Sequence, residues 1–251
     1  MPEIPPESTS IAPHRWWVRI SHWLITLSFF GLVFTGIEIL MVHPRLYWGE
    51  VGNDLTEAWI ELPISRNYKH GGWEKSASFF DNDPSRISAS RTYDIFNKNG
   101  WGRSLHFLLA WILVITGVLY LVAGVLTNHF RKRIWPALGQ LSPKSIYKDI
   151  ITHLRAGKTN VVPGNYNLTQ RLSYAFVIFL LFPVMLLTGL TMSPAVAAAF
   201  PFLLDVWGGL QSARTIHFIT SIALELFLIV HFTMVIITGF KQQIRAMTIA
   251  K

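Results

Sequence analysis

Four stretches of the chain are apolar and long enough to cross a bilayer, and polar segments separate them. They cover residues 20–42, 104–127, 172–192 and 215–239. About 20 apolar residues span the hydrocarbon core as a helix, and a helix satisfies its own backbone hydrogen bonds in lipid. We therefore predict an all-α membrane protein, one domain over residues 1–251 in which four transmembrane helices form a bundle. Pro183 interrupts the third stretch and predicts a local kink.

Three connections join these stretches, and each has its own character. Residues 43–103 form a long polar loop that is rich in aromatic side chains, and residues 128–171 are basic. The connection over residues 193–214 has an apolar middle, which could form a short helix at the membrane interface.

The distribution of charge sets the orientation and narrows the function. The chain carries a net charge of +8, but only 14% of its residues are charged. Lys and Arg are densest, relative to acids, in both termini and in the 128–171 connection, so the positive-inside rule places these segments in the cytoplasm. We expect a multi-pass protein of the bacterial inner membrane whose first helix is not a cleaved signal peptide. The positive charge then belongs to the cytoplasmic face, where it meets membrane lipid, and a nucleic-acid partner is not expected.

The chain contains no cysteine. Disulfides, iron–sulfur ligation and covalent attachment of haem through thioether bonds are therefore all excluded within it. Any redox cofactor must be held by nitrogen or oxygen ligands and without a covalent bond.

Histidines fall at matching depths in the predicted spans. His217 and His231 lie fourteen residues apart in the fourth stretch, which places them on one helix face, within about 40° of each other, and about 21 Å apart along the axis. With the N-terminus inside, His22 shares the depth of His231, and His106 shares the depth of His217. This pattern predicts two pairs of imidazoles, each holding the iron of one non-covalent haem b between facing helices. A single histidine of this kind is as readily explained by a hydrogen bond to a neighbouring helix.

Arginines recur at one spacing before three of these histidines. Arg19, Arg103 and Arg214 each lie three residues, or one helical turn, ahead of a predicted ligand. We interpret them as partners of the haem propionates, since a guanidinium binds a carboxylate through two parallel hydrogen bonds. The alternative is an arginine that extends from a helix end to the membrane surface. Glu225 lies at mid-membrane, where a hydrogen bond to another helix is favoured over a role as proton relay.

Several short motifs resemble one family along all four stretches. The motifs are RISHW at 19–23, GRSLHF at 102–107, GNYNLTQRLSY at 164–174, RTIHF at 214–218 and IVHF at 229–232. They are similar to the di-haem cytochrome b subunits of formate dehydrogenase, Ni–Fe hydrogenase and thiosulfate reductase. The resemblance implies the same pairing as the depths: His106 with His217 toward the periplasm, and His22 with His231 toward the cytoplasm.

The resemblance also implies a quinone site beside the cytoplasmic haem. Asn167, Thr169 and Gln170, together with the ligand His231, match the positions concerned, although Thr169 stands where the family has glycine. The pattern Asn-x-x-Gln before an apolar run is also typical of a capping box at a helix start, and both roles can coexist.

The function implied is that of an electron carrier. It would pass electrons between quinone and a periplasmic redox subunit, a molybdenum enzyme or an iron–sulfur protein or both, and the aromatic loop would cap the outer haem and dock that partner. The substrate chemistry would then belong to the partner. One alternative is a stand-alone quinone reductase similar to cytochrome b561, and another is a haem-free membrane anchor or transporter whose histidines relay protons.

Overall fold

The computed structural model describes residues 14–53, 56–64, 99–136, 139, 141–155 and 166–248. Residues 65–98, which make up most of the predicted outer loop, lie outside this part of the chain. The helices and strands in chain order are α1 (Trp16–Val42), β1 (Arg45–Leu46), β2 (Ile60–Glu61), α2 (Asn99–Leu126), α3 (Pro143–Arg155), α4 (Leu168–Phe176), α5 (Phe182–Thr191), α6 (Pro194–Ala199), α7 (Phe202–Trp207), α8 (Leu210–Ile237) and α9 (Phe240–Thr248).

The all-α fold with four spanning helices is confirmed. The helices long and apolar enough to cross a membrane are Trp16–Val42, Trp101–Leu126, Leu168–Thr191 and Leu210–Ile237. Each begins three to five residues earlier than the hydrophobic pattern predicted. The first turn of each helix contains polar residues or glycine. The hydrophobic pattern therefore left this turn out of the predicted span, although its backbone is helical.

The four helices turn aliphatic side chains outward and hydroxyl groups inward. Leu27 is 73% exposed and Leu126 is 77% exposed, whereas Thr35, Thr188 and Thr191 are each 0% exposed. In water this arrangement would be unfavourable, but lipid solvates the aliphatic surface. Small polar residues between helices permit close packing in a bilayer. The protein is therefore an integral membrane protein.

The third span contains an irregularity close to Pro183, where the sequence predicted a local kink. A π-helical turn, Val177–Leu181, separates α4 from α5 and ends two residues before the proline. Proline has no N–H to donate, and its ring clashes with the carbonyl four residues earlier. A π-helical turn is one of the recognised ways in which a helix accommodates such a disruption.

The connection before α8 forms two short helices, α6 and α7, where the sequence suggested one. Pro194 begins the first of them, and Gly208 ends the second with a left-handed φ of +71°. Gly209 follows with a φ of +115°. Two successive glycines in this region let the chain reverse immediately before α8 begins.

The chain divides into two compact units. The first consists of the described parts of Met1–Trp23, Leu119–Ile178 and Leu226–Lys251, and the second of the described parts of Leu24–Val118 and Phe179–Glu225. In the first unit, Trp23 Nε1 donates to the Met247 carbonyl at 3.0 Å, which joins the start of α1 to α9.

In the second unit, the segment that follows α1 is bonded to the start of α8. The Gly49 carbonyl accepts from the backbone N–H groups of Gln211 and Ser212 at 3.0 and 3.2 Å. Gly49 N donates to Ser212 Oγ at 2.7 Å, and Thr215 Oγ1 donates to the Tyr47 carbonyl at 2.6 Å. The short antiparallel ladder of β1 and β2 continues from this segment. These bonds fix the first two turns of α8, which include Arg214.

We predict that Gly209→Ala destabilises the protein more than Gly208→Ala does. Both substitutions force alanine into a left-handed conformation, which costs roughly 1–2 kcal/mol. At Gly208 a methyl group meets nothing within 4 Å, whereas at Gly209 it would collide with the Gly49 backbone. Thermal unfolding in detergent should give the lower midpoint for Gly209→Ala. Equal midpoints would show that the Gly49 contact contributes nothing to stability.

Candidate haem-binding site

Two of the predicted ligands face each other in the second unit. His106 on α2 and His217 on α8 have ring centroids 6.4 Å apart and planes inclined by 62°. Both rings are half-buried. The structure therefore brings together the pair that the depths predicted.

Threonine hydroxyls determine which nitrogen of each ring is available. Thr35 Oγ1 lies 2.9 Å from His106 Nδ1, and Thr188 Oγ1 lies 3.0 Å from His217 Nδ1. Each hydroxyl also bonds a carbonyl of its own helix, Thr35 to Gly31 at 2.8 Å and Thr188 to Val184 at 2.7 Å. A carbonyl only accepts, so the hydroxyl proton goes to it and the hydroxyl oxygen accepts from Nδ1–H. The lone pair of each ring is then on Nε2, the nitrogen left for a metal.

Glycines follow both threonines and leave space beside the rings. A Cβ added at Gly36 would lie 3.7 Å from His106 Cε1, and a Cβ at Gly189 would lie 3.2 Å from His217 Cε1. The second of these contacts is tight enough to displace the ring. The threonine of each Thr-Gly dipeptide thus supplies a hydrogen-bond acceptor to one histidine, and Gly189 also leaves the space that the His217 ring needs.

The other predicted pair lies in the first unit. His22 on α1 and His231 on α8 have ring centroids 6.5 Å apart, inclined by 53°. Phe227 stacks on His231 at 5.8 Å, Tyr174 meets the same ring at 6.2 Å, and Trp23 meets His22 edge-on at 5.3 Å. Aromatic side chains thus surround this pair.

The spacing of each pair fits two imidazoles that would hold one metal ion between them. A bond from a metal to an imidazole nitrogen is about 2.0 Å long, so two such bonds plus the ring radii separate the ring centroids by roughly 6 Å. The observed separations agree with this value. The described residues contain no cluster of three or more His, Cys, Asp or Glu side chains that could hold a metal ion. A haem iron takes four of its ligands from the porphyrin, so a pair of histidines is the donor set it requires.

The three arginines occupy different surroundings. Arg19 and Arg214 are half-buried, whereas Arg103 is exposed. Arg214 Nη2 donates to the His43 carbonyl at 2.5 Å. This bond ties Arg214 to the segment after α1 and uses one of its five N–H donors. Glu225 is half-buried on α8.

The residues predicted to contact quinone lie at the start of α4. Asn167 is the N-cap, and Gln170 Oε1 accepts from Asn167 N at 3.2 Å, so the capping box is confirmed. Thr169 donates from its backbone N to Asp149 Oδ2 at 2.9 Å and from its hydroxyl to the same oxygen at 2.5 Å. The threonine that replaces the family's glycine therefore binds α4 to α3.

We call His22 with His231 the 22/231 pair, and His106 with His217 the 106/217 pair. A series of ring contacts connects the start of α4 to the 22/231 pair. Tyr166 lies 5.1 Å from Tyr174, which itself contacts His231. His14 stacks on Tyr166 at 6.3 Å. Burial, with a smaller effect of the Arg133 guanidinium, lowers the pKa of His14 and of His129. Burial raises the pKa of Tyr166 to about 12. At neutral pH these side chains are uncharged groups that can still donate or accept a hydrogen bond.

Sequence reasoning missed Thr35 and Thr188, although a signal was present. Each of the four apolar stretches predicted from the sequence contains one Thr-Gly dipeptide: Thr35-Gly36, Thr116-Gly117, Thr188-Gly189 and Thr238-Gly239. The first and third support the 106/217 pair. The same dipeptide recurs once in each stretch. Where its threonine lies at the depth of a histidine on a facing helix, the pattern indicates that the threonine hydroxyl supports that histidine.

Four apolar helices with two facing pairs of imidazoles fit a membrane protein that binds haem. Residues 13–249 match the family of prokaryotic cytochrome b561. Because this match covers nearly the whole chain, the protein belongs to that family, whose members bind b-type haem.

One curated relative is the putative protein-methionine-sulfoxide reductase subunit YedZ1 of Azospira oryzae. It is 28% identical over 224 residues, which cover 89% of this chain and 90% of the relative. No solved structure matches the chain.

We predict that Thr35→Val and Thr188→Val each weaken haem binding at the 106/217 pair. Valine keeps the shape of threonine but cannot accept from Nδ1–H, and loss of such a supporting bond costs about 10–100-fold in metal affinity. Haem content and the reduced-minus-oxidised spectrum of each purified variant measure the effect.

Thr220→Val is the matched control for these variants. Thr220 is buried in the same unit but donates to the Ile216 carbonyl of its own helix at 2.7 Å. Its replacement should leave haem content unchanged. If the control loses as much haem as the two variants, general destabilisation explains the loss and the supporting role of Thr35 and Thr188 is wrong.

Proposed function

We propose that this protein holds two haem b groups and passes electrons between a periplasmic redox subunit and quinone. The observation that supports this most strongly is the presence of two facing imidazole pairs with nearly equal ring separations, 6.4 and 6.5 Å. Helix α8 supplies one histidine to each pair and is continuous over Leu210–Ile237. His22, His106, His217 and His231 are the iron ligands in this proposal. The haems supply one-electron chemistry, and the chain orients them and excludes water.

The arginines complete the haem sites in this proposal. Arg19 and Arg103 bind haem propionates at the helix ends. Arg214 also binds a propionate, through N–H groups that are not bonded to the His43 carbonyl. Both termini lie in the cytoplasm of the proposed topology. The 106/217 pair then lies toward the periplasm, and the 22/231 pair toward the cytoplasm.

The protein acts as a subunit in this proposal. The relative from Azospira oryzae carries the name of a reductase subunit, and we extend that role to this chain. Its partner is a periplasmic redox protein with a molybdenum or iron–sulfur centre. The same unit that holds the 106/217 pair exposes Trp48 and Trp59, which are each 59% exposed and pack against each other at 5.7 Å. Aromatic side chains are enriched at protein interfaces, so this pair is the proposed centre of docking.

Quinone binds beside the 22/231 pair in this proposal. Asn167, Thr169 and Gln170 lie at a helix start, and Tyr166 and Tyr174 connect that start to His231 through ring contacts. The capping box uses the oxygen of the Gln170 amide. We assign its NH₂ group as the donor to a quinone carbonyl.

The ligand assignment predicts the loss of one haem of two in each of two variants. His217→Ala should remove the haem of the 106/217 pair, and His231→Ala that of the 22/231 pair, because one imidazole does not replace two axial ligands. Haem per polypeptide and the reduced-minus-oxidised spectrum measure this. His43→Ala is the control, since His43 is exposed and belongs to neither pair. Colourless wild-type protein would favour a haem-free transporter, and a haem that survives in both variants would refute the pairing.

The quinone assignment predicts that Gln170→Glu slows electron exchange with quinol without disturbing α4. Glutamate completes a capping box as well as glutamine does, but its carboxylate cannot donate to a quinone carbonyl. Loss of one hydrogen bond, worth about 0.5–1.5 kcal/mol, should slow haem reduction by a short-chain quinol roughly 3–10-fold. Stopped-flow absorbance of the haem measures the rate.

Gln242→Glu makes the same change of charge at an exposed position of α9 and serves as the control. It should react at the wild-type rate. Reaction of Gln170→Glu at the wild-type rate would contradict quinone contact at this residue while leaving the haem assignment intact.

A further inference from the structure

Glu38 is a carboxylic side chain enclosed in the second unit. It is 1% exposed, and neither carboxylate oxygen has a hydrogen-bond partner among the described residues. Burying an unpaired charge of this kind is costly, and a buried polar group without a partner requires an explanation. Nothing in the roles described above uses this side chain.

The carboxyl group lies one helical turn from the 106/217 pair. Glu38 follows Thr35, the hydrogen-bond partner of His106, by three residues on α1. On α2 it lies against Gly102, four residues before His106, and a Cβ added at Gly102 would overlap Glu38 Oε2. The helical rise places Glu38 about 5–6 Å along the axis from the level of the His106 ring. Glycine at position 102 is thus what makes room for the carboxyl group at this level.

Among the described residues, no cation forms a hydrogen bond with the Glu38 carboxylate. On α2 the charged and titratable groups near this level are Arg103, which is exposed, and His106. On the other elements of the unit they are Arg45 on β1 and Arg214 and His217 on α8. Arg214 donates to the His43 carbonyl, and none of these residues bonds a Glu38 oxygen. With no cation bonded to it there, the carboxylate loses its buried charge only by binding a proton.

We propose that Glu38 binds a proton when the haem of the 106/217 pair is reduced and releases it when that haem is oxidised. This inference rests on the proposed haem function. One electron, supplied by the redox partner, adds to the haem iron, and one proton from the aqueous phase adds to the Glu38 carboxylate to form the carboxylic acid. The net charge of the buried site then stays constant. Helix α1 ends at Val42, four residues after Glu38, so the end of the helix lies about 6 Å from Glu38 along the axis.

The consequence is a reduction potential that depends on pH. Over the pH range in which reduction of the haem is accompanied by protonation of Glu38, the potential falls as pH rises, because the carboxylate favours the oxidised haem, which carries one more positive charge. Glutamine at position 38 keeps the shape and removes the titration. Glu38→Gln should therefore raise the potential at high pH and abolish its dependence on pH for this one haem.

Spectroelectrochemical titration at several pH values tests the proposal. The absorbance of the haem that His217→Ala loses is the signal to follow in the wild type. Glu225→Gln is the matched control, because Glu225 is a half-buried carboxylic acid of the same unit, and it should retain the wild-type dependence on pH. A wild-type potential that does not change with pH, or a Glu38→Gln variant with the wild-type slope, would overturn the proposal. Absence of haem from the wild type would instead overturn the proposed function.

A second measurement covers the case in which Glu38→Gln does not retain haem. Infrared difference spectra of the wild type, reduced minus oxidised, should show a C=O band of a carboxylic acid that appears on reduction. Glu38→Asp should keep that band at a shifted frequency, and Glu225→Gln should keep it unshifted. The absence of the band from the wild type would overturn the proposal.

Discussion

The hydrogen bond from imidazole Nδ1–H to a threonine hydroxyl is the interaction on which the rest of the candidate site depends. A histidine inside a bilayer is costly unless both of its nitrogens have partners. Thr35 and Thr188 bind one nitrogen of His106 and His217 and thereby fix the tautomer of each ring. The second nitrogen of each ring is then left for a metal, which the two histidines would hold between rings whose centroids lie 6.4 Å apart. The adjacent glycines leave the rings room to adopt this orientation.

The same principle explains how the protein combines a lipid-facing exterior with polar chemistry inside. The hydroxyl groups of Thr35, Thr188 and Thr220 all bond carbonyls of their own helices, so they can be buried without a penalty. Glu38 has no such bond among the described residues. A bound proton would make its enclosure less costly, and the proposal couples that proton to the charge of the haem.

The sequence predicted the pairing of histidines because depth along a helix follows directly from residue number. His106 and His217 could be matched without any knowledge of packing, and so could His22 and His231. The supporting groups could not, since contact between Thr188 and His217 depends on how two helices are rotated against each other. The capping box at Asn167 and Gln170 is local and was predicted correctly. The π-helical turn before Pro183 was not, because a proline alone does not determine whether a helix bends, breaks or widens.

Haem stoichiometry of the purified wild-type protein tests the central claim most directly. The measurement is the pyridine haemochrome spectrum, referred to polypeptide concentration from amino-acid analysis. The two facing imidazole pairs predict two protohaem groups per chain, both extractable with acidic acetone because the chain has no cysteine to attach them. One haem per chain would show that one of the pairs has another role. No haem would contradict the account of both.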